Sequence, residues 1–268
     1  AVIIFFAIYV CITKYSYNGL YIQLDLSTVY SLRADAANYN FGSLSAYFIA
    51  WSSLAFTIRG VIAYARQEFF ILFCMLILQI LIFSIAGHKF YLFSLPTALI
   101  MSIFYRKGSL YLIPYGLIIL SLVGKFIWAK YNILALVYLL PFRNMFIPAL
   151  ITGNFLDFFS FNRPDFLTQS ILGRLGFESE YSLAIPYLID NNYGDGTASA
   201  NTGLLADAYS NFGFIGIIIY PVLIAIVLRM LDAASSNIDL KYNAGIIVFF
   251  SIALMNQAFF TALLTGGI

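Results

Sequence analysis

The stretch FFILFCMLILQILIF, within residues 69–86, carries no charged side chain and no alternation of polar with apolar positions. Similar apolar runs recur at 45–62, 90–105, 109–128, 204–229 and 244–264, with a partial one near 1–12. Lipid offers no partner to backbone N–H and C=O groups, so each run predicts a helix that satisfies its own backbone. The expected fold class is all-α, a polytopic integral membrane helix bundle. Strands of a membrane barrel would alternate polar and apolar residues over roughly ten-residue segments, and these runs are continuous. Composition agrees: 62% of the chain is hydrophobic and 10% charged, with mean hydropathy +0.90. Soluble domains hold about 45–50% apolar and about 25% charged residues. A soluble enzyme, a disordered tail and a disulfide scaffold are thereby excluded, and the 27 Phe and 20 Tyr suit lipid-facing and interfacial positions.

A net charge of +2, dispersed along the chain, does not describe a nucleic-acid surface, which needs clustered basic residues. Cys11 and Cys74 lie in apolar runs without CxxC or Cys/His spacing and read as packing residues. The opening run at 1–12 falls short of the roughly 20 residues a crossing takes, so it reads as a cut through a helix of a longer chain. The sequence has no internal repeat and no separate soluble domain, which makes 1–268 a single transmembrane domain.

Topology turns on 132–151, NILALVYLLPFRNMFIPALI. Pro141 and Pro148 interrupt its hydrogen bonding, and Arg143 sits mid-segment, where a charge costs about 2.5–3.5 kcal/mol on insertion scales. It is therefore expected to lie in the membrane plane or re-enter, with Arg143 facing protein or water. Arg59, Arg66, Arg106, Lys107 and Lys241 then share one side, which the positive-inside rule makes cytoplasmic. Segments 13–44, 87–89, 125–131 and 152–203 share the opposite, outer face.

Seven of the 12 acidic residues (Asp157, Asp165, Glu178, Glu180, Asp190, Asp195 and Asp207) fall in the long outer loop 152–203 or just after it. A connection of that length is usually functional, and its aromatic content predicts order, as short helices on the membrane face. Arg33, Lys89, Arg143, Arg163 and Arg174 stand against this acidity, with His88 as the chain's lone histidine. Guanidinium forks keep their charge and match phosphate oxygens, so converging arginines suit a pyrophosphate. Each also has a plain structural alternative: Arg33 with Asp35, Arg163 with Asp165, Arg174 with Glu178. His88 suits proton transfer near neutral pH, or else ends a helix beside a snorkelling Lys89. In ASANTGLLADAYSNFGFIG at 198–216, Asn201 or Thr202 can cap a helix whose Gly203, Asp207, Ser210 and Asn211 form a narrow polar stripe. Asp207 either complements the helix N-terminus or orients a cation or a sugar hydroxyl, with Tyr209 as a stacking platform. Gln79, Asn256 and Gln257 lie within spans and read as interhelical hydrogen-bonding groups.

The run ANTGLLADAYSNFGFIG, preceded by GHK after a hydrophobic span and by RNMFIPALITGNFLDFF, resembles the bacterial oligosaccharide repeat-unit polymerases, the O-antigen and capsule polymerase group. The likeness extends from Tyr30-Ser31-Leu32-Arg33 to about Gly216. It implies a GT-C-like glycosyltransferase of the bacterial cytoplasmic membrane with its active face outside. Such an enzyme moves a growing glycan from an undecaprenyl-pyrophosphate carrier onto a new lipid-linked repeat unit. It requires no metal and no other cofactor, and it admits a chain-length regulator protein as a further partner. The family's phosphate-holding arginines map by motif onto Arg33, Arg143 and Arg163; the family often has Arg where this chain carries His88. The expected catalytic set is His88, Arg143 and Asp207, with Arg33, Lys89, Arg163, Arg174, Asn201 and Tyr209 binding substrate. Among carboxylates that could act as base, Asp165 ranks after Asp207. Two other readings remain open: an O-antigen ligase-type transferase, and a lipid-linked-sugar transporter or flippase, which would place its polar groups at mid-membrane along broken helices.

Overall fold

The computed structural model describes residues 1–19, 22, 32, 35, 36, 38, 39, 44–105, 112–133, 142, 146–196, 199, 200 and 203–264. Among them every regular element is helical: α1 (Val2–Asn18), α2 (Ser45–Ala65), α3 (Phe69–Ala86), α4 (Lys89–Phe104), α5 (Leu112–Tyr131), α6 (Ile147–Phe161), α7 (Ile171–Arg174), α8 (Ile185–Tyr193), α9 (Leu204–Ala234), α10 (Leu240–Asn256) and α11 (Phe259–Leu264). Among the described residues three helices are long and apolar enough to cross a membrane: Tyr47–Ala65 within α2, α3, and α9. The described chain divides into two compact units. One comprises Ala1–Tyr105, Ser235–Ala253 and Ala262–Ile268, the other Arg106–Ala234 and Leu254–Thr261.

In the first unit α1, α2, α3 and α4 pack on one another. Their small polar residues do the joining that apolar side chains cannot do in lipid, where hydrophobic burial gives no drive between helices. Gln79 of α3 donates through Nε2 to Ser53 O at 2.8 Å and to Thr57 Oγ1 at 2.8 Å on α2. Its Oε1 accepts from Ser53 Oγ at 3.1 Å, and Thr57 Oγ1 reaches Ser94 Oγ of α4 at 3.0 Å. The interhelical role expected of Gln79 is thus observed. Helix α1 continues past the opening apolar run and carries Lys14 inside the unit, fully buried, with its Nζ 3.5 Å from Ser84 O.

The same unit separates two polar ends. Residues Tyr64, Gln67 and Lys241 line one recess of about 320 Å³, so the turn holding Arg66 and the start of α10 share an end. At the other end of α3, Gly87 caps in the left-handed conformation and His88 begins α4. With 18 residues, α3 sets those ends about 27 Å apart, close to the ~30 Å hydrocarbon thickness.

Two expected spans are interrupted. The 204–229 run is helical but breaks at Gly213, whose φ of 58° and ψ of −143° are not helical. The remaining stretch, 214–234, still approaches the ~20 residues needed for a crossing. The 244–264 run is divided into α10 and α11, with Gln257 and Ala258 outside both helices. Pro148, expected to interrupt a helix, instead sits in the first turn of α6, where a missing N–H costs no bond. The rest of 132–146, apart from residues 132, 133, 142 and 146, lies outside the described residues, as does the in-plane placement expected there. The loop 152–203 holds α7 and α8, as its aromatic content predicts, although its first residues continue α6.

Candidate functional site

The break at Gly213 creates the site in the second unit. A helix bonds the carbonyl of residue i to the N–H of i+4, so a break at 213 releases the carbonyls of Ser210 and Asn211. Buried carbonyls need donors, and the loop 152–203 supplies them. Asp165 N–H donates to Ser210 O at 2.9 Å, and Phe166 N–H to Asn211 O at 3.2 Å. Leu167 N–H completes the seam on Asn211 Oδ1 at 2.9 Å. To present these three donors in succession the loop takes φ of 53° at Phe166 and 65° at Leu167, a conformation that non-glycine residues adopt at a cost.

Asp165 holds that loop in shape. It is buried, and its carboxylate accepts from Thr168 Oγ1 at 2.6 Å, Ser179 Oγ at 2.7 Å and the Gln169 N–H at 2.9 Å. Gln169 extends the network, donating to Leu183 O and accepting from Ile185 N–H, each at 2.8 Å. The Arg163–Asp165 ion pair weighed from the sequence is therefore not formed, because Asp165 is taken by neighbours on its own loop. With three donors filling its acceptor sites, Asp165 is a structural carboxylate. Replacing it with Ala strands the Ser179 hydroxyl and the Gln169 N–H and leaves Thr168 Oγ1 only the residue-165 carbonyl, where each bond to a charged group is worth about 1.5–3 kcal/mol. Limited trypsin digestion is expected to cut Asp165→Ala after Arg174 at least tenfold faster than wild type.

Two tyrosines brace the surrounding helices. Tyr193 of α8 donates to Asp157 Oδ2 of α6 at 2.6 Å, and Tyr181 donates to the Arg163 carbonyl. The hydrogen bond to Asp157 is the main reason the Tyr193 phenol titrates above its usual range. Burial raises Tyr181, helped by Glu180 and Asp165. Both phenols stay neutral donors at physiological pH.

Asp207 occupies the first turn of α9, where a carboxylate complements the helix N-terminus. Its Oδ1 accepts from Asn211 Nδ2 at 3.0 Å, one turn on. Its Oδ2 accepts from the Phe259 N–H at 2.8 Å, at the start of α11. The break between α10 and α11 thus frees an N–H that fixes the carboxylate. The hydroxyl of Tyr220 lies within electrostatic reach of Asp207, buried, yet forms no hydrogen bond of ordinary geometry. Asp207 and Asn211 line a cavity of about 480 Å³ with Asp165, Gln169, Phe155 and Gln257.

Of the residues expected to act in catalysis or to bind substrate, Asp207 is the one that the described residues place on this cavity. Tyr209 is buried (6% exposed) among Phe155, Phe159, Ile185 and Ile189, so its ring is core and offers no open stacking face. Arg163 is exposed, on the same loop two residues before Asp165. Arg174 ends α7, and its side chain lies outside the described residues, as do Arg33, Arg143 and Asn201 entirely. His88 and Lys89 are exposed in the first unit, the His88 ring edge-on to Tyr91. Gln257, expected as an interhelical group, lines the cavity at the helix break. Its neighbours Asn256 and Ala258 give no local signal of that break, whereas Asn211 was legible one turn beyond Asp207.

Comparison with family models, curated proteins and solved structures returns no match. The functional reading therefore rests on the residues themselves.

Proposed function

We propose that the chain polymerises undecaprenyl-pyrophosphate-linked oligosaccharide repeat units at the outer face of the bacterial cytoplasmic membrane. A hydroxyl oxygen of the incoming lipid-linked unit attacks the anomeric carbon of the growing glycan. The bond from that carbon to the carrier phosphate breaks, undecaprenyl pyrophosphate leaves, and the hydroxyl proton passes to a base. Pyrophosphate is already a good leaving group, so cationic donors that meet its developing charge supply much of the rate. Arg143, Arg33 and Arg163 take that role, Arg174 and Lys89 contribute to substrate binding, and Asp207 or His88 takes the proton.

The observation that carries this reading is the Asp207 carboxylate, fixed by Asn211 and the Phe259 N–H on the wall of a cavity that a hydroxyl can enter. Further support comes from His88 and Lys89, which lie at the opposite end of α3 from the Arg66 turn, as an outer-face role requires. The motif likeness supplies the substrate class.

One observation favours a second reading. A helix broken near a carboxylate, as α10 and α11 are at Asp207, is also how transporters build substrate sites. Purified protein given synthetic undecaprenyl-pyrophosphate oligosaccharide separates the readings. A ladder spaced by repeat units is expected, falling at least a hundredfold in Arg143→Ala and in Arg33→Ala. A single addition would indicate a ligase, and lipid-linked sugar crossing a reconstituted bilayer without lengthening would indicate a transporter.

A further inference from the structure

We propose that the cavity beside Asp207 binds a neutral, hydroxyl-rich ring and refuses phosphate, with Gln257 as its specificity residue. Its volume of about 480 Å³ falls within the roughly 300–1,000 Å³ of small-molecule sites. The described lining carries the carboxylates of Asp165 and Asp207 and no lysine, arginine or histidine. A phosphate entering there would meet like charge without a compensating cation, which is how a site excludes a ligand. An apolar ligand fits no better, because a polar group on the lining is unsatisfied. Gln257 lines the cavity, and its Oε1 is buried without a hydrogen-bond partner among the described residues. Unmade bonds of this kind are costly, and a ligand that draws such groups into partnership recovers them.

A hydroxyl can donate to Asp207 and either donate to or accept from an amide that turns toward it, so a polyol satisfies both ends of the site. Phe155, Ile185 and Pro186 on the lining supply an apolar wall for the C–H face of a ring. This ligand class stands on the cavity alone. That the ring is the acceptor sugar of a lipid-linked unit rests on the polymerase reading. The carrier pyrophosphate is then held elsewhere, by the arginines, and substrate recognition is divided between two chemistries.

The test is binding of methyl glucoside, N-acetylglucosamine, glucosamine and glucose 6-phosphate to the purified full chain in detergent, followed by ligand-observed NMR. Neutral sugars are expected to bind at least tenfold more tightly than the phosphate. Gln257→Leu should weaken them at least tenfold, and Ala184→Trp, which fills the cavity from an exposed lining position, should abolish binding, both with unchanged thermal unfolding. Equal binding of the phosphate, a tenfold preference for the ammonium sugar, absence of neutral-sugar binding, or wild-type affinity in both folded variants would overturn the proposal. Neutral-sugar binding lost in the variants, with no polymer made by wild type, would leave this inference standing and remove the polymerase reading. Polymer synthesis indifferent to both variants would overturn the assignment of the ring as the acceptor sugar and leave the polymerase reading standing.

Discussion

Asp207→Asn is expected to lower polymer synthesis by about 10²–10⁴-fold, the usual contribution of a positioned general base. The substitution keeps the size and most of the shape of the side chain, so the cavity is retained. What it removes is a site that can take a proton. It also leaves one oxygen where two acceptors were used, by Asn211 Nδ2 and by the Phe259 N–H. Whichever donor then faces the new NH₂ group is left unpaired, at a cost of about 1–3 kcal/mol. Two measurements separate these effects. Thermal unfolding reads the lost acceptor, and ladder synthesis per folded molecule reads the lost base. A purely structural carboxylate would lower the unfolding temperature and leave the activity of the folded fraction intact, and that result would remove Asp207 from the chemistry.

Much of the fold was legible because membrane helices are written locally. A run such as 69–86 has to be helical wherever it lies, since its backbone has no other partner in lipid. Gln79 could be read the same way, as a polar group that must find a neighbour on another helix. The site was legible only where its geometry follows helical spacing, as with Asp207 and Asn211. The structural role of Asp165 is hidden in the sequence because its donor Ser179 lies 14 residues away, on a loop whose path the sequence does not state. Tyr209 reads as a stacking platform beside the polar stripe, because the apolar residues of α6 and α8 that enclose it are distant in sequence. The interruptions at Gly213 and Gln257 were invisible for one shared reason. Apolar neighbours on both sides keep hydropathy high, while the break itself is stabilised by distant donors and acceptors: Asp165 and Phe166 in the first case, Asp207 in the second.

Gly213→Ala tests whether the break makes the site. A Cβ at this position meets no atom within 4 Å, so packing does not forbid it. The obstacle is the backbone, whose φ of 58° with ψ of −143° is open essentially to glycine alone, at a cost of about 1–3 kcal/mol for another residue. Alanine also favours continued helix by about 0.8–1.0 kcal/mol over glycine, so both terms push toward a straight α9. Straightening returns the carbonyls of Ser210 and Asn211 to the helix ladder. The Asp165 and Phe166 N–H groups then lose their acceptors, the loop lifts, and Asp207 turns away from Phe259. The expected result is at least tenfold faster trypsin cleavage after Arg174, together with loss of ladder synthesis. Gly216→Ala should give the same phenotype by a different cause, because its Cβ would stand 2.0 Å from the Ala208 carbonyl, an approach only the bend creates. Should both variants keep a protected loop and full synthesis, the carboxylate would be held by something other than the kink, and the chain of causes from Gly213 to Asp207 would fail at its first link.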